Sequence, residues 1–143
     1  MKVEGIRYEV IEHTADFAFE IQAPDFRQLL RLAVLAVVDA GWGLETIEPG
    51  HSSHKFTVPA QDREMAIFLA LSEALYLIDA LELIPGAVKI QSAIGDGLDI
   101  QFDCDQLDLE RHSHRMAFKA VTLHGLQVDE TEDGLKATIL MDI

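Results

Sequence analysis

Asp16 is the residue whose type and setting most directly offer chemistry. It closes the run Glu12-His13-Thr14-Ala15-Asp16, a polar cluster that interrupts an apolar alternation. A turn carboxylate has two uses. It can accept backbone N–H bonds and hold the turn, or present oxygen to a hard cation, which prefers such donors. One carboxylate makes a poor metal site, so the second use needs partners. Glu12 and His13 are neighbours along a strand and point to opposite faces, so at most one of them joins Asp16. In the closing segment, Leu135, Ala137, Ile139, Met141 and Ile143 share one face, leaving Asp142 on the other with Leu140 and Thr138. Asp142 and the α-carboxylate of Ile143 repel each other unless solvated, protonated or bridged by a cation. An ordinary frayed terminus is the competing reading. Lys119 opens a third segment, Lys119-Ala120-Val121-Thr122-Leu123-His124, in which Lys119, Val121 and Leu123 alternate with Ala120, Thr122 and His124. It is either an edge-strand charge that discourages aggregation or a cation that neutralises a carboxylate or meets a phosphate.

The remaining histidines are weaker candidates. His51-Ser52-Ser53-His54 and His112-Ser113-His114 have spacings that are not specific for zinc, and the single cysteine, Cys104, excludes a zinc–cysteine site. Both pairs read as solvated loop histidines. No Walker A loop, dinucleotide fingerprint, nucleophile elbow or metalloprotease helix is present.

These groups need elements to position them. Residues 6–12 and 17–23 read as strands on their period-two alternation, with His13 to Asp16 connecting them. Asp25 is placed to cap a helix in which Phe26, Leu29, Leu30, Ala33, Val34, Val37 and Val38 fall at helical spacing, ending near Gly41 and Gly43. Trp42, between those glycines, reads as a packing residue. After a loop over 44–55 comes a short strand, 55–58, closed by Pro59. Asp62 opens a second helix, apolar on most faces and therefore central, stopped by Pro85-Gly86. Strands 87–94 and 98–104 join across Gly95-Asp96-Gly97. A polar stretch, 105–116, precedes two long strands, 117–129 and 135–143, that turn at Glu132-Asp133-Gly134. The order predicts an α+β fold: two helices on one face of a mixed sheet, in a single domain spanning 1–143.

Composition bounds the class. The chain of 143 residues is 49% hydrophobic, long enough for a respectable core. Its 11 basic and 25 acidic residues give a net charge of −14, which disfavours direct nucleic-acid binding and suits a cation or a basic protein partner, or simply solubility. The charged start and lone cysteine give no sign of a signal peptide or an oxidising compartment, and the apolar runs are too short to span a bilayer. A cytoplasmic location is expected.

Glu12-His13-Thr14-Ala15-Asp16, Lys119-Ala120-Val121-Thr122 and the acid Asp142, in that order along a chain of this length, resemble the archease family. Leu75-Tyr76-Leu77 matches the family's run near the end of its second helix. The resemblance implies a fold built around a strand-helix-strand-strand module with an insertion. It also implies a non-catalytic partner of the tRNA-splicing RNA ligase, which uses manganese and GTP through a guanylylated histidine. Such a partner promotes guanylylation and multiple turnover. By position, Asp16 and Asp142 become metal-associated carboxylates for calcium or manganese, with Ile143 next to them. Lys119 becomes the basic group of the same surface and His13 a neighbour. The chain departs from the family pattern at 102–106, Phe-Asp-Cys-Asp-Gln where a Gly-Glu pair is commoner, and at Ala117-Phe118 in place of Glu-Ile. Two other readings compete: a metal-dependent phosphoesterase using the same carboxylates with His13 or His124 as proton carrier, and an acidic chaperone-like scaffold.

Overall fold

Each long apolar run in the chain begins at a capping acid or a turn, and the element order follows from those boundaries. The computed structural model describes the backbone of residues 2–3, 6–12 and 16–143, and the side chains of residues 7–10 and 17–143. Among these the strands are β1 (Lys2–Val3), β2 (Ile6–Glu12), β3 (Asp16–Ala23), β4 (Ser52–Pro59), β5 (Leu83–Ser92), β6 (Gly97–Gln106), β7 (Ala120–Thr131) and β8 (Gly134–Asp142). The helices are α1 (Phe26–Trp42) and α2 (Arg63–Leu81), with a short 3-10 turn at Leu44–Thr46. Asp25 accepts the Gln28 N–H at 2.9 Å and Asp62 the Met65 N–H at 3.0 Å, each satisfying a first-turn donor the helix leaves open.

The α+β class is as expected, but the sheets are arranged differently. Instead of one mixed sheet there are two, β1-β2-β3-β8-β7 and β4-β6-β5, and every described pairing is antiparallel. The helices lie between the sheets rather than on one face. α1 touches β3 and β8 of the larger sheet and β5 of the smaller; α2 touches β7 of the larger, and β4 and β5 of the smaller. This layering accounts for the composition of α2. Ala66, Ile67, Ala70, Leu71, Ala74, Leu75, Leu77 and Ile78 are buried over a broad arc, while apolar residues such as Leu69 and Tyr76 lie on its exposed side. Residues buried to that degree typically carry about 2–5 kcal/mol in large-to-alanine changes.

Several boundaries differ from expectation, the end of α2 for a backbone reason. α2 stops at Leu81, where Glu82 adopts a left-handed conformation (φ 55°), ahead of Pro85-Gly86. Those two residues lie inside β5, whose register shifts between Pro85 and Ala87. Proline lacks the N–H a ladder needs and is tolerated at a bulge on an edge strand, which β5 is. β4 begins at Ser52, inside the expected loop.

Candidate functional site

β8 lies between β3 and β7, so its end meets both neighbours. Asp142 is the Cα partner of Asp16 on β3 and of Ala120 on β7. Lys119 donates its N–H to the Asp142 carbonyl at 2.7 Å. Asp16, Asp142 and Lys119 therefore meet at one end of the larger sheet. Along β8, Leu135, Ala137, Ile139 and Met141 are buried and Asp142 is exposed, as the alternation predicts. Ile143 does not share the buried face: it follows the strand and is 45% exposed. The side chain of Asp16 and all of His13 lie outside the described residues.

Lys119 stands just before β7, and the alternation expected through His124 stops at Thr122. Between Thr122 and Gln127 the register with β8 shifts and Gly125 takes φ 86°. The bulge carries Leu123 away from the buried face of Val121, so Leu123 and His124 are both exposed. For a cation, the exposed Asp142 offers hard oxygen donors. Among the described residues no group of three or more His, Cys, Asp or Glu converges on a metal position. A cation here would thus depend on Asp16 joining Asp142.

A second polar cluster, not anticipated as one, sits where β6 ends. Asp105 is 5% exposed and accepts hydrogen bonds from Arg111 Nη1 at 2.7 Å, Arg111 Nη2 at 3.0 Å, His112 Nε2 at 2.9 Å and the Glu48 N–H at 2.8 Å. The Asp108 N–H donates to His112 Nδ1 at 2.9 Å, so Nε2 carries the proton given to Asp105. The Arg111 guanidinium, helped by Glu48 N–H and His112, holds the Asp105 carboxyl well below the usual carboxylate range, against burial, which pushes it up. His112 is thus a buried, doubly bonded residue and not a solvated one. His54 is no loop residue either: it lies on β4, 3.6 Å from Glu73. The segment 102–106, where the chain departs from the family pattern, carries a buried acid in Asp105. Its one sequence signal was that an acid follows directly on an alternating strand.

Beyond Asp105 the chain crosses the end of α1. His114 stacks on Trp42 with ring centroids 4.2 Å apart, the Arg115 N–H donates to the Gly41 carbonyl at 2.8 Å, and Arg115 pairs with Glu45 at 2.5 Å. Phe118 is buried edge-on to Phe17 and Phe19, at 6.2 and 5.7 Å between centroids. Another buried acid, Asp39 on α1, accepts from the Tyr8 hydroxyl at 2.5 Å and the Leu44 N–H at 2.9 Å, joining β2 to the end of the helix.

The Archease protein family matches this chain over residues 8–143. The chain belongs to the archease family. The Protein archease of Archaeoglobus fulgidus is 31% identical over 96% of this chain and 100% of its own length. Dictyostelium discoideum has a Protein archease-like relative, 25% identical over 95% of this chain and 93% of its own. The solution structure of Methanobacterium thermoautotrophicum protein 1598 superposes with a TM-score of 0.73 at 24% identity, covering 95% of this chain and 98% of that one. A crystal structure from Thermotoga maritima, described as an archease and possible chaperone, gives 0.67 at 24% identity over 93% and 94% of the two chains. At that identity the structures speak for the archease fold alone. No helix among the described residues is long and apolar enough to cross a membrane.

Proposed function

We propose that this archease-family chain is a non-catalytic cofactor of the tRNA-splicing RNA ligase that uses manganese and GTP, promoting ligase guanylylation and multiple turnover. The observation that carries the reading is the register that sets Asp16 opposite Asp142, with Lys119 hydrogen-bonded to the Asp142 carbonyl, in a chain of this family. Asp16 and Asp142, with Ile143 beside them, hold a divalent cation, calcium or manganese. When bound, the cation supplies positive charge for nucleotide phosphates. Lys119 presents its ammonium at the same sheet end, and His13 assists as a neighbour. The net charge of −14 steers the chain to a basic, RNA-binding ligase in the cytoplasm rather than to RNA itself.

The test is multiple-turnover RNA joining by a cognate ligase, with manganese and GTP, at substoichiometric amounts of this protein. Stimulation is expected, and Asp16→Asn should abolish it while melting like the wild type. A folded wild type that gives no stimulation, or an Asp16→Asn variant that stimulates fully, would sink the reading. The Thermotoga relative's description as a possible chaperone favours a second one, in which the acidic surface itself acts. Under that reading, charge reversals spread over the surface would cost more than Asp16→Asn.

A further inference from the structure

We propose that Asp105, Arg111 and His112, together with the Gly41-Trp42-Gly43 end of α1, are positioning residues for Lys119. They hold residues 107–118 as a strap whose placement sets where Lys119 stands beside Asp142. The proposal rests on the role given to Lys119 above.

The strap contains neither helix nor strand, so its path is set by tertiary anchors rather than by a ladder of its own. Its start is fixed by the Leu107 N–H to the Glu82 carbonyl at 2.8 Å and by Arg111 and His112 on Asp105. Its middle sits on a saddle. A Cβ at Gly41 would stand 3.3 Å from the Met116 carbonyl oxygen, and one at Gly43 only 2.8 Å from Arg115 Nη2. The two glycines thus admit the strap at close range, and Trp42 between them receives the His114 ring. Its end is Phe118 in the aromatic cluster, followed at once by the Lys119 N–H on Asp142.

Apolar packing alone does not set this path. A cavity of about 110 Å³ lies beneath the strap, lined by Trp42, Leu75, Ile78, His114 and Phe118 among others. The space leaves the strap less than fully packed on that side, so the polar anchors carry a larger share of its placement. The residues between His112 and Lys119 transmit that choice because the chain between two fixed points has limited reach.

Residue-resolved amide exchange on the full chain tests this without the ligase. In Asp105→Asn, exchange of the strap amides and of the Lys119 amide should quicken by about tenfold or more, while the interiors of α1 and α2 keep their protection. Gly41→Ala is the second variant: it leaves Asp105 and its partners intact but sets a methyl against the Met116 carbonyl, and it decides the matter if Asp105→Asn loosens globally. A Lys119 amide that keeps its wild-type rate in Gly41→Ala, or in a folded Asp105→Asn whose other strap amides have quickened, overturns the proposal. In the ligase assay, Asp105→Asn should lower stimulation by about tenfold in the wild-type background and by less than about twofold in Lys119→Met. Equal losses in both backgrounds also overturn it, since a purely structural role would not depend on the lysine. A wild type that fails to stimulate sinks the functional reading, and the exchange result then judges the positioning on its own.

Discussion

Replacing Asp105 by alanine exposes the energetics of the buried cluster. The carboxylate accepts from Arg111, His112 and the Glu48 N–H, and alanine leaves all three donors without it. The Arg111 side chain is 37% exposed and can rehydrate, so its share is discounted. The His112 side chain is 0% exposed and cannot; a buried donor left without a partner costs about 1–3 kcal/mol. Adding a smaller loss at the part-buried Glu48 N–H gives about 2–4 kcal/mol in all. For a chain of this size that lowers the melting temperature by roughly 5–15 °C. The pH dependence has a definite sign. The folded carboxyl titrates below its unfolded value, so its stabilisation is complete above about pH 4 and is lost as pH falls through the folded value. The gap between wild type and variant should be flat from about pH 5 to 8 and close on further acidification. Urea denaturation reads it, followed by far-UV circular dichroism and by Trp42, the sole tryptophan, which stacks on the strap's His114. In the variant the Trp42 transition should precede the dichroism transition. A variant within about 0.5 kcal/mol of wild type at neutral pH, or a gap that widens in acid, would refute the reasoning.

Two buried groups give further predictions. Burial, and then the bond to Asp39, push the Tyr8 phenol far above its usual value. Alkaline absorbance titration of a folded Tyr76→Phe variant should therefore show Tyr8 still protonated where a free phenol ionises, and the stability Tyr8 contributes should hold below about pH 10 and fall only above it; a phenolate formed near pH 10 before unfolding would count against the pairing. Burial also pushes the Cys104 thiol up to about 11, and its side chain is fully enclosed. A thiol reagent at about pH 8 should label the unfolded chain and leave the folded one untouched, and rapid native labelling would contradict the burial.

Local pattern carried the elements well. The capping acids Asp25 and Asp62, the helical spacing of α1, the all-round apolarity of α2 and the strict alternation of β8 each reflect a neighbour within a few residues, and each appears as read. Features set by distant partners did not show. Which strands share a sheet is set by pairings between segments far apart in the chain, and nothing near Asp16 announces Asp142. The family resemblance joined those two residues; spacing could not. His112 sits in a polar stretch with no periodicity, and its burial is decided by Asp105 and Asp108 folding around it. Gly41 and Gly43 read as helix punctuation, and they also make room for Met116 and Arg115. The bulge after Thr122 did have a local signal, Gly125 inside a run read as one strand, and the register shift falls around it.

The position of β8 has a kinetic consequence. It occupies an inner place in the larger sheet although every other described strand precedes it in the chain. Until it is placed, β3 and β7 both lack the strand that lies between them, and the register that joins Asp16 to Asp142 closes a very long loop. Such non-local pairing slows folding, because the entropy of closure is spent before the sheet returns any stabilisation. While β8 is unplaced, the chain offers two open strand edges, the template by which copies exchange strands or aggregate. The sheet end that holds the candidate site is therefore also its closing seam, and only molecules that have finished folding can bring the two acids together.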